Sequence, residues 1–219
     1  RRNDLLLENL RKQIIDAGLD LVKYKLVTLT GGNVSGRDAE TGLIAITPSG
    51  MEYEGLKPKD IVILDPDGNI IDGNLKPSVD LKFHLHIYKE RLDINGIIHT
   101  HSTYASCFAA LNEEIPCVLT TLANEVGGSV PVARYTPVGT DDMGPSITEV
   151  IGVKRACLLA NHGVVTLGPN VRHALVAAVM LEDAAKSYAM AKCIGNPIVL
   201  PESEVKKARD LFLYQYGQN

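Results

Sequence analysis

The stretch Ile97-Ile98-His99-Thr100-His101 decides how this chain is read. An apolar, β-branched run after Gly96 predicts a buried strand over 96–101. In a strand, residues two apart point to the same face. His99 and His101 then converge on one point, an arrangement suited to a first-row metal such as zinc. Asp80 lies upstream, and His162 lies downstream in Leu158-Leu159-Ala160-Asn161-His162-Gly163. Three imidazoles and one carboxylate make a complete ligand set. Structural zinc sites are more often cysteine-rich and closed. The four cysteines here (Cys107, Cys117, Cys157 and Cys193) show no CxxC spacing. A catalytic ion with an open coordination position is therefore expected.

Helical periodicity appears on both sides of that strand. Leu6, Leu7, Leu10, Ile14, Ala17 and Leu21 follow a 3.6-residue period and predict a helix over 4–25. A strand is expected over 42–47, ended by Pro48-Ser49-Gly50. Asp65-Pro66-Asp67-Gly68 should turn a hairpin between 60–64 and Ile70-Ile71. Helices are expected over 79–91, 103–111, 146–151, 171–193 and from about Glu202 to the tail. Strands are expected over 117–122 and 130–134, and a hairpin over 156–167 around Asn161-His162-Gly163. Residues 28–35 read as a polar turn. No repeat, low-complexity stretch or linker divides the chain, so 1–219 reads as one domain. Helices alternate with short strands, which predicts an α/β sheet covered by helices on both faces.

Composition narrows the function. A chain of 219 residues can bury a substantial core without disulfide staples. The net charge of −4 offers no footprint for a nucleic-acid backbone. No apolar run reaches membrane-span length, and no signal-peptide pattern precedes the first helix. Three of the cysteines lie in apolar runs and are expected to be buried free thiols. A reducing cytoplasm is the compartment these features suggest.

Two polar turns and a third segment suit an anion. Thr30-Gly31-Gly32-Asn33-Val34-Ser35 and Thr47-Pro48-Ser49-Gly50 offer backbone N–H groups and small donors, and Lys76-Pro77-Ser78 immediately precedes Asp80. Such elements cradle phosphate monoesters. Neither GxxxxGK[ST] nor GxGxxG occurs, so a nucleotide is not indicated. His84 and His86 form a second His-X-His, but on a helix they face different ways and read as structural or surface residues. His173 and the Glu182-Asp183 pair read as solvated.

The order of Gly32-Asn33-Val34-Ser35, Thr47-Pro48-Ser49-Gly50, Lys76-Pro77-Ser78-Val79-Asp80, His99-Thr100-His101 and Asn161-His162-Gly163 resembles the class II aldolase/adducin family. That family includes an L-fuculose-1-phosphate aldolase and an L-ribulose-5-phosphate 4-epimerase. The resemblance covers nearly the whole chain. It implies a single-domain, three-layer α/β/α fold with a mixed, mostly antiparallel sheet. It also implies a zinc ion (Zn2+), and a homotetramer with active sites between neighbouring subunits. Position by position, His99, His101 and His162 match the zinc histidines. Asp80 matches an acidic residue that can ligate the metal and act as acid and base. Gly32, Asn33, Ser49, Gly50 and Ser78 fall in the segments that hold the substrate phosphate. Tyr216 resembles a catalytic tail tyrosine that closes over the site.

Three positions depart from the family pattern. Val79 replaces the second serine of the usual Pro-Ser-Ser. Thr120 stands where the aldolase has its catalytic tyrosine, and Asn124 where the epimerase has its catalytic aspartate. Glu125 and Tyr135 are candidate substitutes. The resemblance implies a zinc-dependent aldolase that cleaves a phosphorylated, fuculose-1-phosphate-like ketose to dihydroxyacetone phosphate and an aldehyde. A sugar-phosphate 4-epimerase, a decarboxylase, a dehydratase or a non-catalytic adducin-like module are the alternatives.

Overall fold

The computed structural model describes residues 5–216. Its eight strands are β1 (Asn33–Arg37), β2 (Ile44–Ile46), β3 (Val62–Leu64), β4 (Ile70–Asp72), β5 (Gly96–Thr100), β6 (Val132–Ala133), β7 (Ala156–Leu159) and β8 (Gly163–Gly168). Seven α-helices accompany them: α1 (Glu8–Lys23), α2 (Leu81–Glu90), α3 (Thr103–Leu111), α4 (Thr120–Glu125), α5 (Met143–Ile151), α6 (Val171–Ile194) and α7 (Glu202–Gln215). The strands form one sheet in the order β4-β3-β2-β1-β5-β8-β7-β6. Every neighbouring pair is antiparallel except β6 with β7. The fold is a three-layer α/β/α sandwich with a mixed, mostly antiparallel sheet.

Strand alternation divides the core between the two faces. Ile97 of β5 joins Phe83 and Ile87 of α2 and Met143 and Ile147 of α5. Its neighbour Ile98 points the other way, to Ile14 and Leu21 of α1 and Ala174 and Leu175 of α6. A third cluster packs α3, α4 and α6 against β7 and β8. Both Ile97 and Ile98 are fully buried. Each such side chain is worth roughly 1.5–3 kcal/mol relative to exposure, so slipping β5 by one register position would be strongly opposed. The sheet therefore fixes which face His99 occupies. It shares the face of Ile97, toward α2.

Arg11 of α1 is the one fully buried arginine among the described residues. Its guanidinium donates to the carbonyls of Pro58 and Ile61 and pairs with Asp72. A buried cation must be paired in this way, and the bonds tie α1 to the β3–β4 edge.

Several local expectations need correction. The polar turn over 28–35 ends early, because Asn33 opens β1. Asn33 and Ser35 are buried, and their polar side chains find partners on α2. The expected strand over 117–122 is absent; Thr120–Glu125 is helical instead. Leu122 and Val126, one helical turn apart, both enter the core there. Only Cys117 and Cys157 are buried, while Cys107 and Cys193 are exposed; all four are free. Glu182 is not merely solvated. Its carboxylate accepts from the backbone N–H groups of Tyr104 and Ala105 at 2.8 and 2.9 Å, capping the first turn of α3.

Gly96 begins β5 where that strand meets the start of α6. A Cβ there would lie 2.4 Å from the carbonyl carbon and oxygen of Asn170 and 2.5 Å from the nitrogen of Val171. These are backbone atoms and cannot rotate aside. Gly96→Ala is expected to lower stability by about 2–3 kcal/mol, read as a shifted urea midpoint at unchanged m-value. A change below about 0.5 kcal/mol, the level of an ordinary surface substitution, would contradict this packing.

Candidate metal centre and substrate cavity

Three elements bring the histidines together. His99 lies on β5, His101 just beyond its end, and His162 in the three-residue loop joining β7 to β8. Asn161 adopts a left-handed conformation with φ 57°. Asparagine tolerates that geometry better than most residues, and it lets the hairpin close tightly. Gly163 then passes close to the end of β5. A Cβ on Gly163 would sit 2.4 Å from the Thr100 carbonyl oxygen and 2.9 Å from the His101 ring. The absence of that side chain is what lets His162 reach the other two imidazoles.

The rings converge. Centroids are 4.8 Å apart for His99–His101, 4.7 Å for His99–His162 and 5.2 Å for His101–His162. One ring nitrogen from each lies within 4.8 Å of the others. His99 Nδ1 is 3.0 Å from the Val164 carbonyl. A carbonyl only accepts, so Nδ1 carries the hydrogen and Nε2 presents a lone pair. That Nε2 is 3.0 Å from His101 Nε2. Imidazole nitrogens about 2.0–2.1 Å from a shared tetrahedral zinc approach each other to about 3.4 Å, so the cluster has the right scale.

Burial keeps these rings neutral. It pushes the pKa of His99 well below the ordinary imidazole value, with His162 and His101 adding to the effect. Burial also lowers His101 and His162; for both, Asp80 acts in the opposite sense. Neutral imidazoles are the form that ligates metal.

Asp80 stands beside this trio at the start of α2, buried, with Oδ2 3.8 Å from His99 Nε2. The Asn33 amide donates to Oδ2 at 2.8 Å. Asp80 Oδ1 and His162 Nδ1 are buried and have no hydrogen-bond partner. Orphaned buried polar atoms are costly, and both of these belong to the cluster that a cation held by the three imidazoles and Asp80 would bridge. The donor set thus fits a divalent ion such as zinc.

The anion loops border the same cavity, of about 180 Å³. Gly32, Asn33, Ser49, Gly50, Ser78, Asp80, His101 and His162 all line it, so residues far apart in the chain meet in one place. The loops are stitched to one another. Ser49 N–H donates to the Lys76 carbonyl at 2.9 Å, and Ser78 N–H to the Thr47 carbonyl at 3.1 Å. Thr47 Oγ1 accepts from Val34 N–H at 3.2 Å. Ser78 Oγ accepts from Asp80 N–H at 3.3 Å, which leaves its own hydrogen free for an anion. The volume lies below the roughly 300–1,000 Å³ of drug-sized pockets and suits a small metabolite.

Other singled-out residues lie elsewhere. Tyr216 is exposed at the end of α7, stacked on Phe212, and does not line the cavity of its own chain. Thr120, Asn124 and Glu125 sit on α4, against α7, and Tyr135 is exposed; none lines the cavity. Burial raises the pKa of Glu125, with Arg209 and Arg155 opposing the shift. His173 is exposed at the start of α6. Tyr53, Met51 and Val138 line the cavity without having been singled out. They stand singly among polar and turn-forming residues (Glu52, Glu54, Pro137, Gly139), where an isolated apolar side chain carries no signal. His84, read as structural or surface, is fully buried and bonded into the network behind Asp80. His86 faces α5 instead, 3.1 Å from Thr148 Oγ1.

A three-layer α/β/α fold with a histidine trio beside polar, glycine- and serine-bearing loops is the scaffold of an aldolase family. The chain belongs to the family described as Class II Aldolase and Adducin N-terminal domain, whose model matches residues 12–189. It is 41% identical over 214 residues to a 5-deoxy-D-ribulose 1-phosphate aldolase of Bacillus thuringiensis serovar kurstaki, covering 98% of this chain and 100% of that protein. It is 34% identical to the L-ribulose-5-phosphate 4-epimerase UlaF of Salmonella paratyphi C, over 97% of each chain. Among solved structures, an L-fuculose 1-phosphate aldolase superposes with a TM-score of 0.91 at 37% identity, covering 94% of this chain and 97% of that one.

Two predictions arise from this geometry. Gly163→Ala should push the hairpin away from Thr100 and carry His162 out of register with His99 and His101. Zinc affinity, measured by competition with a chromophoric chelator, is expected to fall at least tenfold, in the range of about 10–100-fold seen when ligand positioning is lost. Unchanged affinity would contradict the role assigned to the close approach. The second concerns acid. Burial pushes the pKa of His84 down from 6.5 to about 3, with Asp80 opposing the shift and His99 adding to it. A histidine whose folded pKa is depressed takes its proton more readily in the unfolded chain. Stability is therefore unaffected above pH 6.5 and falls as pH drops toward 3, by up to about 1.4 kcal/mol per pH unit for one group. The urea midpoint of metal-free protein should fall between pH 6.5 and 4.5, less steeply in His84→Gln. A flat profile in the wild type would refute it.

Proposed function

We propose that this protein is a zinc-dependent class II aldolase that cleaves a short phosphorylated ketose of the fuculose-1-phosphate type to dihydroxyacetone phosphate and an aldehyde. One observation carries the reading. A single small cavity is lined by His101 and His162 of a metal-suited histidine trio, by the buried Asp80 carboxylate, and by serine- and glycine-bearing loops. The family membership and the 41% identity to a 5-deoxy-D-ribulose 1-phosphate aldolase support it.

His99, His101, His162 and Asp80 would hold the ion. When bound, it supplies a Lewis acid for the negative charge that collects on oxygen as the carbon–carbon bond breaks. The hydroxyls of Ser49 and Ser78, with Gly32, Asn33 and Gly50 around them, hold the phosphate and so set the distance from that anchor to the reacting carbons. Asn33 Nδ2 has two hydrogens; Asp80 uses one, and the other remains for the phosphate. Asp80, held at Oδ2 by Asn33, swings Oδ1 between the ion and the substrate; off the ion, it takes a proton from the hydroxyl that becomes the aldehyde carbonyl and returns one to the new carbon terminus. Tyr53 and Val138 narrow the cavity and exclude water.

The wider reading is one domain over 1–219, acting as a homotetramer with sites between neighbouring subunits, in the cytoplasm. The placement of Thr120, Asn124 and Tyr216 off their own chain's cavity supports the first part, since residues there reach a substrate only across a subunit boundary. Four free thiols fit a reducing compartment. Among the described residues, no helix is long and apolar enough to cross a membrane. The 34% identity to a 4-epimerase favours a second reading on the same scaffold. The amide of Asn124, where the epimerase pattern has a carboxylate, weakens it, because an amide cannot take up the proton.

The test is a panel of ketose 1-phosphates and 5-phosphates assayed for triose phosphate release and for epimer formation. Triose phosphate release is expected from a ketose 1-phosphate. His101→Ala should abolish cleavage and metal content together, a loss of at least about 10³-fold in kcat/KM. Turnover retained in metal-free His101→Ala, or epimer formation without cleavage, would overturn the reading.

A further inference from the structure

A continuous line of buried hydrogen bonds runs behind Asp80 and away from the cavity. Tyr88 OH is 2.8 Å from Ser35 Oγ, and Ser35 Oγ is 2.7 Å from His84 Nδ1. His84 Nε2 is 2.6 Å from Asn33 Oδ1, and Asn33 Nδ2 is 2.8 Å from Asp80 Oδ2. All five side chains are buried. The arrangement follows from two periodicities. Asn33 and Ser35 stand two apart on β1, opposite His99 and Ile97 of β5, and so face α2. His84 and Tyr88 stand four apart on α2 and so share its sheet-facing side.

The direction of every bond in this line is forced from the Asp80 end. A carboxylate oxygen accepts, so Asn33 turns its NH₂ toward Asp80. Asn33 Oδ1 then faces His84 and can only accept, which places the imidazole hydrogen on Nε2. Burial keeps the ring neutral, so Nδ1 has a lone pair and takes the Ser35 hydroxyl hydrogen. Ser35 Oγ, its hydrogen committed, accepts from Tyr88. The Tyr88 ring is in turn fixed by Arg37, whose guanidinium lies 5.1 Å above it and donates to the Tyr88 carbonyl.

We infer that His84 is a positioning residue: its Nε2 hydrogen locks the Asn33 amide, so that Asp80 is held by Oδ2 and presents Oδ1 to the ion and the substrate. This rests on the metal and proton-transfer role proposed above for Asp80. Without the imidazole hydrogen, Asn33 Oδ1 loses its buried donor, and the amide is oriented by the Asp80 carboxylate alone. An amide less firmly held can turn its oxygen against the carboxylate and rotate Asp80 away. His84 touches neither ion nor substrate; it acts through Asn33.

Two measurements test this. In protein labelled with ¹⁵N-histidine, a long-range ¹H–¹⁵N correlation reports the tautomer of each ring, and His84→Gln assigns the His84 signal by its disappearance. The expected result is hydrogen on Nε2 and a bare Nδ1. Hydrogen on Nδ1, or on both nitrogens, overturns the inference. The second compares zinc affinity in the wild type, His84→Gln and His84→Asn. The glutamine amide reaches the Nε2 position and can still donate to Asn33, whereas the asparagine amide reaches only the Nδ1 position. His84→Asn is expected to bind zinc about 10–100-fold more weakly, while His84→Gln recovers most of that loss. Thermal midpoints recorded alongside separate this from folding. Equal affinity in the two variants, or losses that track the midpoints, overturns the inference. A wild type that binds no zinc would sink the proposed function instead, and the tautomer would still decide the question for His84.

Discussion

The antiparallel pairing of β5 with β8 sets the position of all three imidazoles. His99 faces Val165 across that pair, and Thr100 faces Val164, so the last rungs of the ladder lie directly beside the β7–β8 loop. The ladder bonds fix the strands to within a few tenths of an ångström, and the side chains inherit that precision. A site built on loops alone would lack it. Close approach at Gly163 completes the arrangement, because a methyl group there would meet the Thr100 carbonyl before His162 reached its neighbours. The backbone spacing is therefore the primary constraint, and the histidines are placed by it.

A second constraint is the cost of polar groups inside the sheet. Asn33, Ser35, His84 and Asp80 lie where a three-layer sandwich normally carries Val and Ile. Each unsatisfied group would cost roughly 1–3 kcal/mol. Here they satisfy one another in a single file, with Asp80 Oδ1 and His162 Nδ1 left over. Both leftovers belong to the histidine–carboxylate cluster. The other buried side-chain atom without a partner among the described residues is Ser106 Oγ on α3, so two of the three fall where a ligand can repay the cost. Phe83 stacks on His84 at 4.5 Å and meets the edge of His99 at 6.0 Å, sealing the network from the core.

Much of the site was legible in the sequence because its chemistry is carried by short motifs. His99-Thr100-His101 could be read as strand residues sharing a face, and the polar loops announced themselves by glycine, serine and proline. The long helices α1 and α6 followed from periodicity. The failures share a cause. β1 was hidden because the face it turns to α2 carries Asn33 and Ser35 and the other buried face only Val34 and Gly36, and hydropathy patterns identify strands by longer apolar runs. The run at 117–122 is apolar and β-branched, yet packing of Leu122 and Val126 one turn apart favours helix over local propensity. His84 and Glu182 are polar residue types, although the helical wheel sets them beside Leu81 and Tyr88 and beside Ala178 and Ala185. Their partners, Asn33 and the N-terminus of α3, lie 51 and 78 positions away. No local pattern encodes a contact at that distance.

The lining of the cavity also bears on which reaction suits it. Asp80 is its one carboxylate. Aldol cleavage requires a proton to leave a hydroxyl and another to reach the carbon that becomes the new terminus. One carboxylate can perform these transfers in turn on one face of the substrate. Inversion at a carbon requires groups on two opposite faces, one to remove and one to deliver. Beyond the histidines, the remaining titratable side chain on the cavity is Tyr53, whose pKa burial raises and whose hydroxyl is directed at the Gly31 carbonyl 3.5 Å away. A phenol so held is a poor second acid. The carboxylate count at this cavity thus supports the proposed cleavage over epimerisation. In the homotetramer proposed above, an opposite-face group would come from a neighbouring subunit, where Thr120 and Asn124 would offer a hydroxyl and an amide in place of a phenol and a carboxylate.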